Sequence, residues 1–308
     1  MQINKSKYTS EAILLFITLL WGATFVIVKE ALQEISPLLF ITIRFVIAGI
    51  ILLPFVLRKN FSKKSVLSGI LLGVLLFLGF ALQTVGLKYT PATKSGFLTG
   101  TAVIMVPILQ ILIEKRPPTK GVILGSLIVM FGVTFLSSGG NSLITLLSDF
   151  GTNFNFGDTL TLLCALFFAL YIIYIDVETS KFDFWILLFV QIVTVAILGI
   201  IFSLIFSATQ IETIKISITE NSLFALFYTS IFATLITTAL QTKFQKNVTP
   251  TKAGIIFAFE PLFAAIFAFF LLGEKLSNFG YIGAALIIMG LIISELFDGL
   301  LNNEKRTN

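Results

Sequence analysis

Residues 81–94, ALQTVGLKYTPATK, return almost in register as residues 239–252, ALQTKFQKNVTPTK. Gln83-Thr84, Thr90-Pro91 and Lys94 in the first copy match Gln241-Thr242, Thr249-Pro250 and Lys252 in the second. Further along, Gly125 and Gly132 in GSLIVMFG match Gly283 and Gly290 in GAALIIMG with the same spacing. Upstream, Arg44 in LFITIRFVIAGIILLPF falls opposite Gln191 in LLFVQIVTVAILGIIF, and Trp21 falls opposite Phe168. The chain therefore reads as one unit written twice, with the join near 138–156.

The composition says what each copy is made of. The chain has 308 residues, a mean hydropathy of +1.00, 33 Phe and only 12% charged residues. A soluble chain carries roughly a quarter charged residues, so this one is built for lipid. Disorder, collagen and disulfide scaffolds are excluded by the same figures, and Cys164, the single cysteine, has no partner within the chain. There is no His. That removes the commonest zinc ligand and general base, and with them zinc-dependent membrane proteases and most His-based hydrolases. No catalytic residue, metal site or cofactor is expected.

A helix rises about 1.5 Å per residue, so crossing a hydrocarbon core of about 30 Å takes about 20 mostly apolar residues. That ruler predicts ten spans, at 11–30, 36–57, 65–87, 92–113, 119–137, 157–177, 184–206, 221–244, 251–272 and 278–297. The runs are too long and too continuously apolar for barrel strands. The fold class expected is an all-α polytopic membrane protein with ten transmembrane helices in two inverted five-helix repeats. The inversion follows from the odd helix count, which makes the second copy enter from the opposite side and leaves a pseudo-two-fold axis in the membrane plane. The expected organisation is a first repeat over 1–137, a linker over 138–156 containing a short interfacial helix, a second repeat over 157–297 and a cytoplasmic tail over 298–308. The first span is too long, and too poorly followed by small residues, to read as a removed signal peptide.

Short loops rich in Lys and Arg stay in the cytoplasm. With the amino terminus inside, that side collects Lys5, Lys7, Arg58, Lys59, Lys63, Lys64, Lys115, Arg116, Lys120, Lys181, Lys243, Lys246, Lys252, Lys305 and Arg306. The other side receives Lys29, Lys88, Lys94, Lys215 and Lys275, a bias of about three to one. Both termini are expected in the cytoplasm of a cell membrane. The formal charge of +5 is then a topology signal, since a nucleic-acid partner would need a basic soluble face.

Local punctuation fits these spans. Thr90-Pro91 and Thr249-Pro250 read as helix starts, Thr as N-cap and Pro in the first turn, where its missing amide costs nothing. The paired glycines of helices five and ten lie on one face and permit close backbone approach, for packing within the bundle or in a homodimer. The protein is expected as a monomer or a homodimer in the bilayer.

The runs LLWGATFVIVK, ITIRFVIAGIILLP, ALQTVGLKYTPATKSGFLTGTAVIMVPIL and TPTKAGIIFAFEPLFAAIFAFFLLGEKLSNFGYIGAALIIMG together resemble the EamA branch of the drug/metabolite transporter superfamily. The resemblance implies a ten-helix carrier whose central cavity is built mainly from helices one to four and six to nine, with five and ten peripheral. Members export amino acids, other metabolites or toxic compounds, and relatives exchange nucleotide sugars or triose phosphates. One departure is visible. Gly273-Glu274-Lys275 stands well after Pro261, whereas Glu114-Lys115 lies closer to Pro107, so helix four or its exit is expected to be shorter.

Charged side chains deep in lipid cost at least a few kcal/mol each, so a midspan ionisable group normally faces a cavity or a partner. Glu260 stands near the middle of helix nine before Pro261, which removes an intrahelical hydrogen bond. It is the candidate proton carrier, or else a structural carboxyl that fixes helix nine. Arg44, within helix two, reads as a bidentate clamp for a substrate carboxylate or as half of an interhelix ion pair with an acid such as Glu260. Trp21, Phe168 and Tyr171 are candidates for an aromatic wall. Gln83, Gln191 and Gln241 are read as substrate contacts or interhelical glue. Thr24, one turn from Trp21, and Thr99 complete the candidate set. Lys94 and Lys252 are expected to snorkel to the interface.

The function expected is a secondary active transporter exporting small organic metabolites such as amino acids by alternating access, with proton coupling through Glu260. The alternative is a facilitative carrier or exchanger of the triose-phosphate or nucleotide-sugar type, which would want several cavity cations where only Arg44 is midspan. Direct ATP coupling is excluded because no GxxxxGK[ST] segment is present. An enzyme is not expected, since rhomboid-type chemistry lacks its His and an aspartyl dyad lacks two midspan Asp.

Overall fold

The computed structural model describes residues 5–137, 154–272 and 277–307. Among these, ten helices are long and apolar enough to cross a membrane. In chain order α1 is Ser6–Ala31, α2 Pro37–Val56, α3 Lys63–Tyr89, α4 Lys94–Glu114 and α5 Lys120–Ser137. The second set is α6 Phe156–Thr179, α7 Phe184–Ala208, α8 Glu220–Asn247, α9 Pro250–Phe267 and α10 Asn278–Leu296. Each falls within a few residues of its expected span. The helix carrying α10 runs on to Thr307, through the expected tail. The linker and its expected interfacial helix lie almost wholly outside the described residues, as does Gly273-Glu274-Lys275.

Helix entries are written in local chemistry. Asn155 and Asp158 form a reciprocal capping box at α6, Asp158 N donating to Asn155 Oδ1 at 3.0 Å and Asn155 N to Asp158 Oδ2 at 2.9 Å. Asp183 accepts from the backbone N–H of Trp185 and Ile186 at the start of α7, and Ser62 caps α3 through Ser65 N. Pro250 follows the N-cap Thr249 as expected. At the first copy Pro91 itself takes the N-cap position, and the Thr90 hydroxyl donates across the bundle to Asp158 at 2.9 Å. The exit of α4 is a tight stop: Lys115 takes the left-handed conformation, φ 55°, ahead of Pro117 and Pro118.

The glycines settle how the repeats meet. A Cβ on Gly125 would lie 2.6 Å from the carbonyl oxygen of Gly290, and one on Gly132 2.8 Å from that of Gly283. The first glycine of one helix meets the second of the other, so α5 and α10 run antiparallel with backbones in contact. Because these glycines also correspond in sequence, the pairing is what a two-fold axis in the membrane plane produces. The two halves are inverted repeats. They are not side-by-side bundles: one buried core joins α2 and α3 to α6 and α7, and another joins α4 and α5 to α9 and α10. Outward faces such as Ile50, Leu53, Phe131, Ile201, Leu204 and Ile292 stay exposed, the surface a hydrocarbon solvent covers.

Four spans are interrupted near mid-length. α1 breaks at Ala23, α4 at Thr101 and α9 at Ala258-Phe259, the last two lying at matching repeat positions. α8 contains a π-helical segment, Ile231–Ile236. Irregular backbone at membrane depth is tolerated where protein or a cavity surrounds it.

The glycine contact makes a direct forecast. Gly283→Ala sets a methyl 2.3 Å from Leu136 N and 2.5 Å from Gly132 O, and should cost stability at the upper end of the roughly 1–3 kcal/mol typical of overpacking. Gly49→Ala, whose nearest neighbour would be 3.6 Å away, should melt close to the parent in detergent. Equal melting of the two variants would contradict the backbone contact.

Candidate functional site

Helices α1, α3, α4 and their counterparts α6, α8, α9 enclose a central cavity of about 820 Å³, counting its opening. The breaks in α4 and α9 lie on its wall, with Gly100 and Ala102 on one side and Ala258, Glu260 and Pro261 on the other. No lining residue comes from α2, α5, α7 or α10, so the expected contribution of helices two and seven is indirect.

Eight of the ten expected residues line this space: Trp21, Thr24, Gln83, Thr99, Phe168, Tyr171, Gln241 and Glu260. Trp21 tilts against Phe257, ring centroids 5.3 Å apart, and donates Nε1–H to the carbonyl of Ala233 at 3.3 Å. Thr24 Oγ1 donates back to Trp21 O at 2.7 Å, spanning the break in α1. Gln83 Nε2 donates to Thr99 Oγ1 at 3.2 Å, which also sits 3.7 Å from Cys164 Sγ. Gln241 donates to Gln245 at 2.7 Å, and Gln245 to the carbonyl of Ile172 at 2.6 Å.

Arg44 and Gln191 stand behind the wall. Arg44, 3% exposed, donates Nη2 to Ala233 O at 2.7 Å and Nε to Thr234 Oγ1. Its guanidinium covers the Phe80 ring at 4.5 Å. The π-helical turn explains this arrangement. Pairing each N–H with the carbonyl five residues back loosens the coil, and the Ala233 carbonyl accepts from both Arg44 and Trp21. Gln191, fully buried, bridges Tyr171 OH at 2.8 Å and Thr242 Oγ1 at 2.9 Å. Arg44 is thus satisfied by α8, and no ion pair joins it to Glu260.

Glu260 opens the second half of α9 immediately after the break. Among the described residues, no Lys or Arg lines the cavity and none forms an ion pair with Glu260. The next residue, Pro261, has no N–H, so the Phe257 carbonyl receives no α-helical bond from it. The Glu260 carboxyl shares one space with the aromatic residues Trp21, Phe257, Phe80 and Phe168.

Phe80, Phe257 and Thr238 belong to the wall and were absent from the sequence-based set. Thr238 stands three residues before a chosen residue, Gln241, one helical turn away on the same face, whereas Phe257 is separated from Glu260 by the break in α9. For Thr238 that spacing was the available signal. With 33 Phe in the chain, residue type alone carries none.

Lys94 and Lys252 depart from expectation. Lys94 Nζ reaches Asp158 Oδ2 at 2.6 Å and Lys252 Nζ reaches Glu11 Oε1 at 2.9 Å. The lysine side chains are 22% and 2% exposed, Lys94 drawn inward by Asp158 of the opposite repeat and Lys252 by Glu11 of the opposite repeat together with Glu295 of its own.

The chain resembles known proteins along nearly its whole length. An uncharacterized transporter of Archaeoglobus fulgidus is 35% identical over 92% of this chain and 84% of its own. The uncharacterized transporter YoaV of Bacillus subtilis is 25% identical over 90% and 94%. A solved crystal structure superposes with a TM-score of 0.74 at 14% identity, over 94% of this chain and 98% of the other, which speaks for the fold alone. The model of the EamA-like transporter family matches twice, at residues 9–138 and 155–296, once for each repeat. With ten membrane-crossing helices, a duplicated and inverted architecture and this double match, the chain is a multi-pass membrane protein that belongs to the EamA-like transporter family.

Proposed function

We propose that this protein is a secondary active transporter that exports small organic metabolites, amino acids among them, by alternating access, with Glu260 exchanging protons. One observation carries the reading: a single carboxyl, without a cationic partner among the described residues, faces a central cavity lined by both inverted repeats. Burying an unpaired carboxylate is costly, so its charge is cancelled by a proton or by a cationic group on the solute. The amine of an amino acid is such a group. Competition of the two for one carboxyl couples proton movement in one direction to solute movement in the other.

The rest of the wall suits a small amphipathic body. Gln83, Gln241, Thr24 and Thr99 supply donors and acceptors, and the aromatic rings supply apolar faces. A phosphorylated or nucleotide-linked solute would ask for cavity cations, and Arg44, the midspan candidate, is engaged with Ala233 and Thr234. The family and the named relatives speak for transport rather than catalysis. The lysine and arginine bias between loops supports a cell-membrane location with both termini cytoplasmic.

Two measurements check this. In proteoliposomes an imposed pH gradient should drive amino-acid flux, and Glu260→Gln should lower the driven rate at least roughly tenfold, the equivalent of about 1.4 kcal/mol. Flux indifferent to both the gradient and the substitution would replace proton coupling with facilitated diffusion or solute exchange. A protease-sensitive tag after Asn308 should be cut in inside-out vesicles and protected in intact cells. The reverse pattern would overturn the orientation.

A further inference from the structure

Among the described residues four ion pairs join the repeats: Lys59–Asp183 and Lys7–Glu295 leave both partners partly exposed, and the other two, one at each end of the bundle, each hold a largely buried partner. At the first, Lys94 at the start of α4 meets Asp158 in the first turn of α6, at 2.6 Å. Thr90 and Asn155 complete that cluster, with Thr90 Oγ1 donating to Asp158 Oδ1. At the second, Lys252 in the first turn of α9 meets Glu11 near the start of α1, at 2.9 Å. There Asn247 donates to Ser10 Oγ at 3.0 Å, and Glu295 of α10 and Lys7 of α1 join the charges.

These clusters are one arrangement written twice. Lys94 and Lys252 are separated by 158 positions, as are Gln83 and Gln241, and Gly125 and Gly283. Glu11 and Asp158 are separated by 147, as are Trp21 and Phe168, and Arg44 and Gln191. In each cluster a lysine opening the broken helix of one repeat holds an acid opening the first helix of the other. The two-fold axis carries one pair onto the other, and so from one membrane face to the opposite face.

Both pairs hold largely buried partners: Asp158 is 0% exposed at its side chain and Lys252 2%. Such pairs add little net stability, because desolvation offsets their attraction, and their best use is to specify one arrangement over another. Lys29 of α1 strengthens the first cluster by donating to the carbonyls of Leu87 and Thr90. There the backbones of α3 and α6 also touch, and a Cβ on Gly157 would lie 2.7 Å from Gly86 O.

We propose that Lys94–Asp158 and Lys252–Glu11 are the paired gates of the carrier, each closing one mouth of the cavity and opening in turn. The proposal rests on the alternating-access reading. Both pairs are formed in this structure. Opening toward one face breaks the pair there and leaves its counterpart closed, so the two pairs bias one equilibrium in opposite directions.

The test reads side-specific access and needs no solute. In a Cys164→Ala background, a single reporter cysteine at Leu76, on the cavity wall, is labelled with a membrane-impermeant maleimide in right-side-out and inside-out vesicles. Lys94→Gln should raise labelling from the face bearing the α3–α4 turn by roughly threefold, the scale of one ion pair acting on a two-state equilibrium. It should lower labelling from the other face. Lys252→Gln should do the reverse. Lys94→Arg and Lys252→Arg, which keep the cation, should leave the parental pattern in place. Asp158→Asn and Glu11→Gln repeat the test from the acidic side should a lysine variant not fold. Shifts in the same direction, or no shift, overturn the gates. Opposed shifts in a protein that carries no solute would keep the gates and discard transport, whereas solute flux with unmoved labelling would do the opposite.

Discussion

The contact of α5 with α10, glycine backbone against glycine backbone, is the constraint from which the remaining architecture follows. Lipid tails are as apolar as the helix surfaces, so association inside a bilayer draws on close packing rather than on exclusion of water. Gly125 against Gly290 and Gly132 against Gly283 provide that packing and dictate an antiparallel pair. Once the fifth helix of each repeat lies against its partner in this sense, the repeats are related by an axis in the membrane plane. That relation places α4 beside α9 and brings α1, α3 and α4 around one space with α6, α8 and α9.

The polar groups inside the membrane divide by how they are satisfied. Arg44, Gln191, Gln245 and Gln110 have protein partners: Arg44 on the π-turn of α8, Gln191 between Tyr171 and Thr242, Gln245 on Ile172 O, Gln110 accepting from Thr251. Arg44 and Gln110 hold helices of different repeats together, whereas Gln191 and Gln245 tie helices within the second repeat. Glu260 is of the other kind, with no ion-pair partner among the described residues and a place on the cavity wall. A membrane interior makes that combination expensive, which is the ground for the proton coupling proposed above. The ion pairs Lys94–Asp158 and Lys252–Glu11 form a third kind, joining the repeats through largely buried partners.

Much of this was legible in the chain. Ten spans, the duplication and the inversion follow from hydropathy, from Gln83/Gln241 and Lys94/Lys252, and from an odd helix count per repeat. Eight of the cavity's twenty lining residues were legible as well, because polar or aromatic residues at midspan need a reason to be there. What was not legible depends on three-dimensional partners. Arg44 looks like a substrate clamp until the π-helical turn places the Ala233 carbonyl against it, and no residue pattern in IFATLI announces that turn. Lys94 and Lys252 look like snorkelling residues, because the acids that hold them, Asp158 and Glu11, lie in the opposite repeat. The interleaving of the repeats was likewise hidden, since it depends on which faces of α3, α6 and α7 meet.

The claim that the space between the repeats is the path of the solute has one most direct measurement. Purified protein in liposomes would be screened for saturable flux of amine-bearing, neutral and anionic metabolites, beside a variant whose cavity is filled by Gly96→Trp, at a lining position where a Cβ has room, and shown by its melting curve to be folded. The account predicts saturable flux of at least one amine-bearing solute by the parent and its loss in the filled variant. Absence of protein-dependent flux across the whole panel, or flux that survives with the cavity filled, would contradict it.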